Sequence, residues 1–275
     1  LTVKILFVGD VFGSAGRKIV REHLGHVRES HQIDLTIING ENAAGGFGIT
    51  PSLAEEMFDW GADVITTGNH VWDKRELIEY MKSVPADSHE RPRRVLRPAN
   101  LQHGLPGCGV YEGVIEDGEN IGTPYAVINL MGKVFMNGTN DPFNKANQIL
   151  ESIQKSSNAK VIFLDFHAEA TSEKVAMGWH LDGRVTAVVG THTHIPTADE
   201  RVLPGGTAYQ TDVGMSGPYD SVIGVEKELV LNRFLTGMSG KFEAATGNPK
   251  MCAVVVSCDP MTGKAYKIQR LMLGE

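Results

Sequence analysis

Three carboxylates, two asparagine amides and four imidazoles fall in five short segments of this chain, and each segment closes a hydrophobic run. The segments are Gly9-Asp10, Gly40-Glu41-Asn42, Gly68-Asn69-His70, Asp165-Phe166-His167 and Gly190-Thr191-His192-Thr193-His194. Carboxylate, amide oxygen and neutral imidazole are all cation donors, and the mixture suits iron, manganese or zinc better than calcium. Together these groups suffice for two metal ions.

The runs that must position them are Val3–Val8, Leu35–Ile38, Val64–Thr67, Val161–Leu164 and Val185–Val189. They are mostly β-branched and aliphatic, and read as buried strands. In open α/β sheets ligands bind beyond the carboxyl ends of the strands, so one sheet edge is expected to gather the five segments. Helices are expected between the strands. Arg17–Arg28 carries Ile19, Val20, Leu24 and Val27 on one stripe, Thr50-Pro51 opens a second helix that Gly61 closes, and Asp73 with Glu76 has capping-box spacing for a third through about Lys82. Asn144–Lys155 and Ser172–Trp179 supply two more. Val110–Ile115 with Tyr125–Leu130, and Ala253–Ser257 with Ala265–Leu271, read as hairpins. This mixture of parallel and antiparallel strands predicts two stacked sheets covered by helices, in a single domain spanning residues 1–275.

Each candidate also has an ordinary explanation. Asp10 could cap the following helix, Asn69 could be a turn residue and His70 a histidine at a helix start. His167 alone reads as a structural histidine, and His192 and His194 as polar loop residues, although on an extended segment their spacing of two turns both side chains the same way. Five such coincidences at five strand ends outweigh these separate explanations. His23, His26, His31, His89, His103 and His180 follow no buried strand and are assigned to surface or capping roles. Gly118-Glu119-Asn120 repeats the Gly-Glu-Asn tripeptide in a polar setting and reads as a turn. Arg91, Arg93, Arg94 and Arg97 read as a solvated loop, the alternative being contact with a substrate phosphate.

Bulk properties narrow the partners. With 41% hydrophobic and 21% charged residues, the 275-residue chain is an ordinary globular sequence able to bury a full core. A net charge of −7 argues against a grip on long nucleic acid. It leaves anionic small molecules open, because bound cations reverse the local field. Three unpaired-looking cysteines, the absence of a signal-like segment and the lack of a membrane-length apolar run place the expectation in the cytoplasm, without a membrane.

With these residues in view, the chain resembles the calcineurin-like metallophosphoesterases, and within them the bacterial YmdB-like branch. The likeness rests on Gly9-Asp10-Val11-Phe12-Gly13, Asn39-Gly40-Glu41-Asn42, Thr67-Gly68-Asn69-His70, Gly190-Thr191-His192-Thr193-His194 and the stretch from Thr211 to Asp220. It extends over almost the whole chain. Phe12 stands where the wider superfamily carries a histidine, and Glu41 where it carries an aspartate; both are features of the branch. The first change leaves one ion with fewer strong protein ligands.

The resemblance implies a four-layer α/β/β/α sandwich of two mixed sheets flanked by helices. It implies two metal ions per chain, iron or manganese ahead of zinc: Asp10, Asn42 and His194 on one, Asn69, His167 and His192 on the other, and Glu41 between them. The implied activity is hydrolysis of phosphodiesters, with 2′,3′-cyclic nucleotides as the substrate class. A hydroxide bridging the ions would attack and His70 would act as general acid. Asp73 could orient His70, although capping is the expected role of that side chain. A phosphomonoesterase or nucleotidase with the same metals, and a metal-binding regulatory protein acting through a partner, are the alternatives. Self-association stays open.

Overall fold

In the computed structural model, which describes residues 1–238 and 240–274, the first part of the chain alternates strand and helix as its periodicity predicts. β1 (Val3–Val8), α1 (Gly13–His31), β2 (Leu35–Asn39), α2 (Pro51–Asp59), β3 (Val64–Thr66) and α3 (Arg75–Lys82) come first. A 3-10 turn at Arg91–Arg94 leads to the antiparallel pair β4 (Val110–Val114) and β5 (Pro124–Met131). Next are α4 (Pro142–Ser156), β6 (Val161–His167), α5 (Thr171–Leu181) and β7 (Ala187–Thr191). β8 (Arg201–Val202), β9 (Ala208–Gln210) and β10 (Gly217–Pro218) are short, then α6 (Lys227–Thr236) precedes the long hairpin of β11 (Pro249–Cys258) and β12 (Ala265–Gly274).

Two mixed sheets result. The first runs β10-β11-β1-β2-β3 with β12 added beside β11; the second runs β4-β5-β6-β7-β9-β8. In the first sheet the parallel strands β1-β2-β3 occupy one end and the antiparallel strands the other; in the second the parallel strands β5-β6-β7-β9 are flanked by antiparallel β4 and β8. Burial follows this plan: β2, β3, β6 and β7 are buried along their whole length. Three apolar layers hold the sandwich together. One lies between the first sheet and α1, α2 and α3, one between α4, α5 and the second sheet, and one between the sheets. In the middle layer Phe7 of β1 stacks on Phe163 of β6, ring centroids 5.2 Å apart. Truncating such a buried ring typically costs about 3–5 kcal/mol. The order is α/β/β/α, the sandwich expected.

Local signals act where they were placed. Thr50 Oγ1 accepts from Leu53 N at 3.3 Å with Pro51 in the first turn of α2, a cap worth about 1 kcal/mol. The expectation of a single sheet edge is corrected: the five segments come from two sheets, β1, β2 and β3 in one and β6 and β7 in the other. β8, β9 and β10 are too short to show a period and went unread. So did α6, which buries none of its side chains and leaves Phe234 and Leu235 82% and 84% exposed. No helix among the described residues is long and apolar enough to cross a membrane.

Candidate metal centre

Alternate residues of each inner strand face the opposite sheet, and those rows change character at the carboxyl ends. On β6 the row is Val161, Phe163, Asp165, His167; on β7 it is Ala187, Val189, Thr191. β2 places Asn39 beyond Leu35 and Ile37, and β3 places Thr66 beyond Val64. The middle core is thus closed by a polar layer whose hub is Asp165. This fully buried carboxylate accepts from Asn39 Nδ2 at 2.9 Å, Thr66 Oγ1 at 2.5 Å and Thr191 Oγ1 at 2.7 Å. Burial still pushes its pKa above the usual carboxylate range.

On this layer sit the candidate ligands. Nε2 of His167 lies 2.9 Å from Glu41 Oε1, 2.9 Å from Asn69 Oδ1 and 3.1 Å from His192 Nδ1. One N–H cannot serve three acceptors. Donors that share a cation at bonds of about 2.1 Å are spaced by roughly 3 Å, which is the spacing found. Glu41, His167 and His192 form the one histidine/cysteine/carboxylate group among the described residues with metal-holding geometry. Beside it, His194 Nε2 stands 3.3 Å from Asn42 Oδ1. Asp10 Oδ2 accepts from His192 N at 3.3 Å, while its Oδ1 is buried without a hydrogen-bond partner. An orphaned carboxylate oxygen is costly, and a cation would satisfy it. The residues present therefore fit a metal centre.

Each imidazole is held by its outer nitrogen. Nδ1–H of His167 donates to Thr191 Oγ1 at 2.9 Å, and Thr191 in turn donates to Asp165. His192 Nε2 lies 3.1 Å from Glu169 Oε2, and His194 Nδ1 donates to Ile223 O at 2.8 Å. Such outer contacts fix the tautomer and aim the other nitrogen at a metal. Gly68 allows the close approach of β3's end, since a Cβ there would stand 2.3 Å from both Glu41 Oε2 and the His167 ring.

The candidate ligands are buried together and set one another's protonation. Burial pushes Asp10 well above the ordinary carboxylate range. Burial would also raise Glu41, but the charge and hydrogen bond of His167 draw it down to about 2. His167 is disfavoured as a cation by burial, yet Glu41 beside it lifts it to about 9. Burial and the adjacent His167 hold His192 down at about 3, and burial likewise lowers His194. His192 and His194 are therefore neutral, the form that binds metal.

His70 stands at the rim. Its backbone N–H donates to Glu41 Oε2 at 3.2 Å and its Nδ1 meets Asp73 Oδ2 at 2.8 Å. The expected capping role of Asp73 is corrected. α3 begins at Arg75, Lys74 occupies the cap position without a side-chain bond, and Asp73 turns to His70 instead. Asp10 caps nothing either, as α1 starts after Phe12 without a side-chain cap. The extended segment expected for His192 and His194 is also corrected. β7 ends at Thr191, and the two histidines have φ of 96° and 67°, so they diverge, one toward His167 and the other toward Asn42.

The arginine segment lies outside the cleft and is partly solvated, with Arg91 exposed and Arg93, Arg94 and Arg97 half-buried. Arg91 pairs with Glu55 and Asp59, Arg94 with Glu116, and Arg97 donates to the carbonyls of Pro98, Leu105 and Pro106. Asp165 and Thr191 fall inside the candidate segments, and their place on the inward row of a strand is a usable signal for the anchoring role they take. Glu169, Lys174, Asp212, Phe47 and Phe242 were missed and had no such signal, because their partners are distant in sequence.

Fold and site together define a metallophosphoesterase. The family of YmdB-like proteins matches residues 6–271. The chain belongs to that family. It is 45% identical to the 2′,3′-cyclic-nucleotide 2′-phosphodiesterase of Bacillus subtilis strain 168, covering 99% of this chain and 98% of that one. A crystal structure of a hypothetical protein from Thermus thermophilus superposes with a TM-score of 0.88 at 38% identity, covering 99% of this chain and 100% of the other. A novel phosphatase from Mycoplasma pneumoniae gives 0.88 at 33% identity, covering 100% of this chain and 94% of that one.

Proposed function

We propose that residues 1–275 act as one catalytic domain that binds two metal ions and hydrolyses 2′,3′-cyclic nucleotides. Asp10, Asn42 and His194 would hold one ion, Asn69, His167 and His192 the other, and Glu41 would serve both. The observation that carries this reading is the anchoring of three imidazoles by their outer nitrogens, with the inner nitrogens of His167 and His194 turned toward carboxylate and amide oxygens and that of His192 toward His167. Donors of this kind, with no thiolate, suit iron, manganese or zinc, and the family resemblance puts iron or manganese first. The Bacillus subtilis relative, similar along its whole length, supplies the substrate class.

When bound, such ions make water nucleophilic at neutral pH and draw charge from the phosphoryl oxygens. The chain's own residues do the rest. Asp165 and Thr191 keep His167 turned inward, and Glu169 does the same for His192. Attack at phosphorus breaks the bond to O2′, and that oxygen leaves as an alkoxide needing a proton. His70 supplies it, with Asp73 holding Nδ1 so that Nε2 faces the cleft. The product is a nucleoside 3′-monophosphate.

The test compares metal-loaded protein on 2′,3′-cyclic nucleotides, bis-p-nitrophenyl phosphate and p-nitrophenyl phosphate. Diesters should turn over well ahead of the monoester. A preference for p-nitrophenyl phosphate would replace this reading with that of a phosphomonoesterase.

A further inference from the structure

The mechanism leaves one wall of the cleft unused. From His70 an arc of rings runs through Phe47, Phe242 and Phe12 to His194, with centroids 5.0, 4.3, 6.3 and 5.6 Å apart in turn. It therefore joins the proposed acid to a proposed ligand along one side. Phe12 is buried, but Phe47 and Phe242 are only half-buried and line the cleft beside Ile223 and Val225.

The wall is built with care for close approach. Phe47 rides on the loop after β2 and Phe242 on the segment after α6, far apart in sequence. They meet over Gly46, which has φ of 97°; a Cβ there would lie 2.8 Å from the Phe242 ring and 2.9 Å from Phe12. Gly46 thus serves both backbone shape and ring packing.

We propose that Phe47 and Phe242 form a stacking subsite for the nucleobase of the cyclic nucleotide, one that reads the face of the base and not its edges. This rests on the functional reading above. A phosphate at the metal ligands places the sugar beside His70, and the base of the same nucleotide then falls against the rings adjoining that histidine. The cleft encloses about 280 Å³, at the small end of small-ligand pockets, which suits a mononucleotide. Edge recognition would require uncommitted polar side chains near the wall. Thr193 is instead bound to Asp212 at 2.6 Å and Glu169 to His192 at 3.1 Å. Stacking on an aromatic face tolerates every base, because each has a π-face.

The experiment measures kcat and KM for the four 2′,3′-cyclic nucleotides and for a base-free analogue, methyl riboside 2′,3′-cyclic phosphate, on metal-loaded wild type, Phe47→Leu, Phe47→Ala and Phe242→Ala. Phe242 has ring contacts with Phe12 and Phe47 among the described residues, so its variant leaves the His70 contact intact. Wild type should treat the four bases within about tenfold of one another, as base-tolerant stacking requires. The alanine variants should raise KM for nucleotides roughly 5- to 100-fold more than for the base-free analogue, with kcat little changed in Phe242→Ala, and Phe47→Leu should fall between wild type and Phe47→Ala. Equal losses on both substrate kinds would make the wall structural and overturn the proposal, as would unchanged KM or strong selection of one base by wild type. Turnover of bis-p-nitrophenyl phosphate with none of any cyclic nucleotide would reject the substrate reading itself, a distinct result.

Discussion

His70 differs from the other three cleft histidines in one respect: its free nitrogen faces space instead of another donor. All four have one nitrogen anchored, but His167, His192 and His194 aim the second at oxygens or at each other. His70 has Asp73 behind it and is the group proposed to move a proton. His70→Ala should keep its metal and its fold while losing roughly 10²–10⁴-fold in rate on cyclic nucleotides, the usual worth of acid–base catalysis. The loss should shrink on bis-p-nitrophenyl phosphate, whose leaving group departs without a proton. Elemental analysis beside the two rates checks this, and equal losses or missing metal would assign His70 to binding. At this scale the chemical groups were legible because each follows an apolar run. The partner of Asp73 was not, since His70-to-Asp73 and Asp73-to-Glu76 share the same spacing of three. Sequence spacing cannot arbitrate between an orienting bond and a capping box; only the start of α3 at Arg75 does.

The loop after β7 and the helix α5 show how elements fix what residues need. His192 and His194 adopt positive φ, a conformation that costs free energy for non-glycine residues and needs outside support. Thr193 between them provides it by donating N–H and hydroxyl to Asp212 Oδ2 at 3.2 and 2.6 Å. Lys174 of α5, itself buried, completes that carboxylate with an ion pair at 2.7 Å. Removing one partner of a buried pair costs about 3–5 kcal/mol. Lys174→Met should therefore lose stability of that order in urea unfolding and should bind metal more weakly, because the strained loop loses its brace. Wild-type metal affinity in this variant would show that the loop keeps its shape unaided. A lysine on a helix reads as solvent-facing from sequence, and nothing local pairs it with an aspartate 38 positions on. The helices themselves were largely legible from apolar stripes and caps, whereas α6, packed against nothing that buries it, gives sequence pattern no face to reveal.

Across the whole molecule the proposed centre is a seam. Asp10, Glu41 and Asn69 follow strands of one sheet, His167, His192 and His194 belong to the other, and the polar layer around Asp165 already bonds across the gap. Ions held there tie the two sheets together and should stabilise the fold. At a hundredfold excess over Kd one binding event adds about 2.7 kcal/mol, so chelation should lower Tm by roughly 5 °C or more; an unchanged Tm would place the ions away from the seam. The two mixed sheets were legible in the alternation of apolar runs and turns, but the assignment of strands to sheets was not. The irregular stretch between Pro85 and Thr123 carries the chain from one sheet to the other, and no local pattern records the crossing. The central claim is a two-ion centre in which each ion is required. Its most direct measurement is a manganese titration of chelator-stripped protein that counts bound ions while following hydrolysis of adenosine 2′,3′-cyclic phosphate. Activity should appear only as the second ion per chain binds, and Glu41→Gln, with one bridging charge removed, should bind less metal and stay inactive. Full turnover with one ion per chain, or an active Glu41→Gln holding two, would contradict the account.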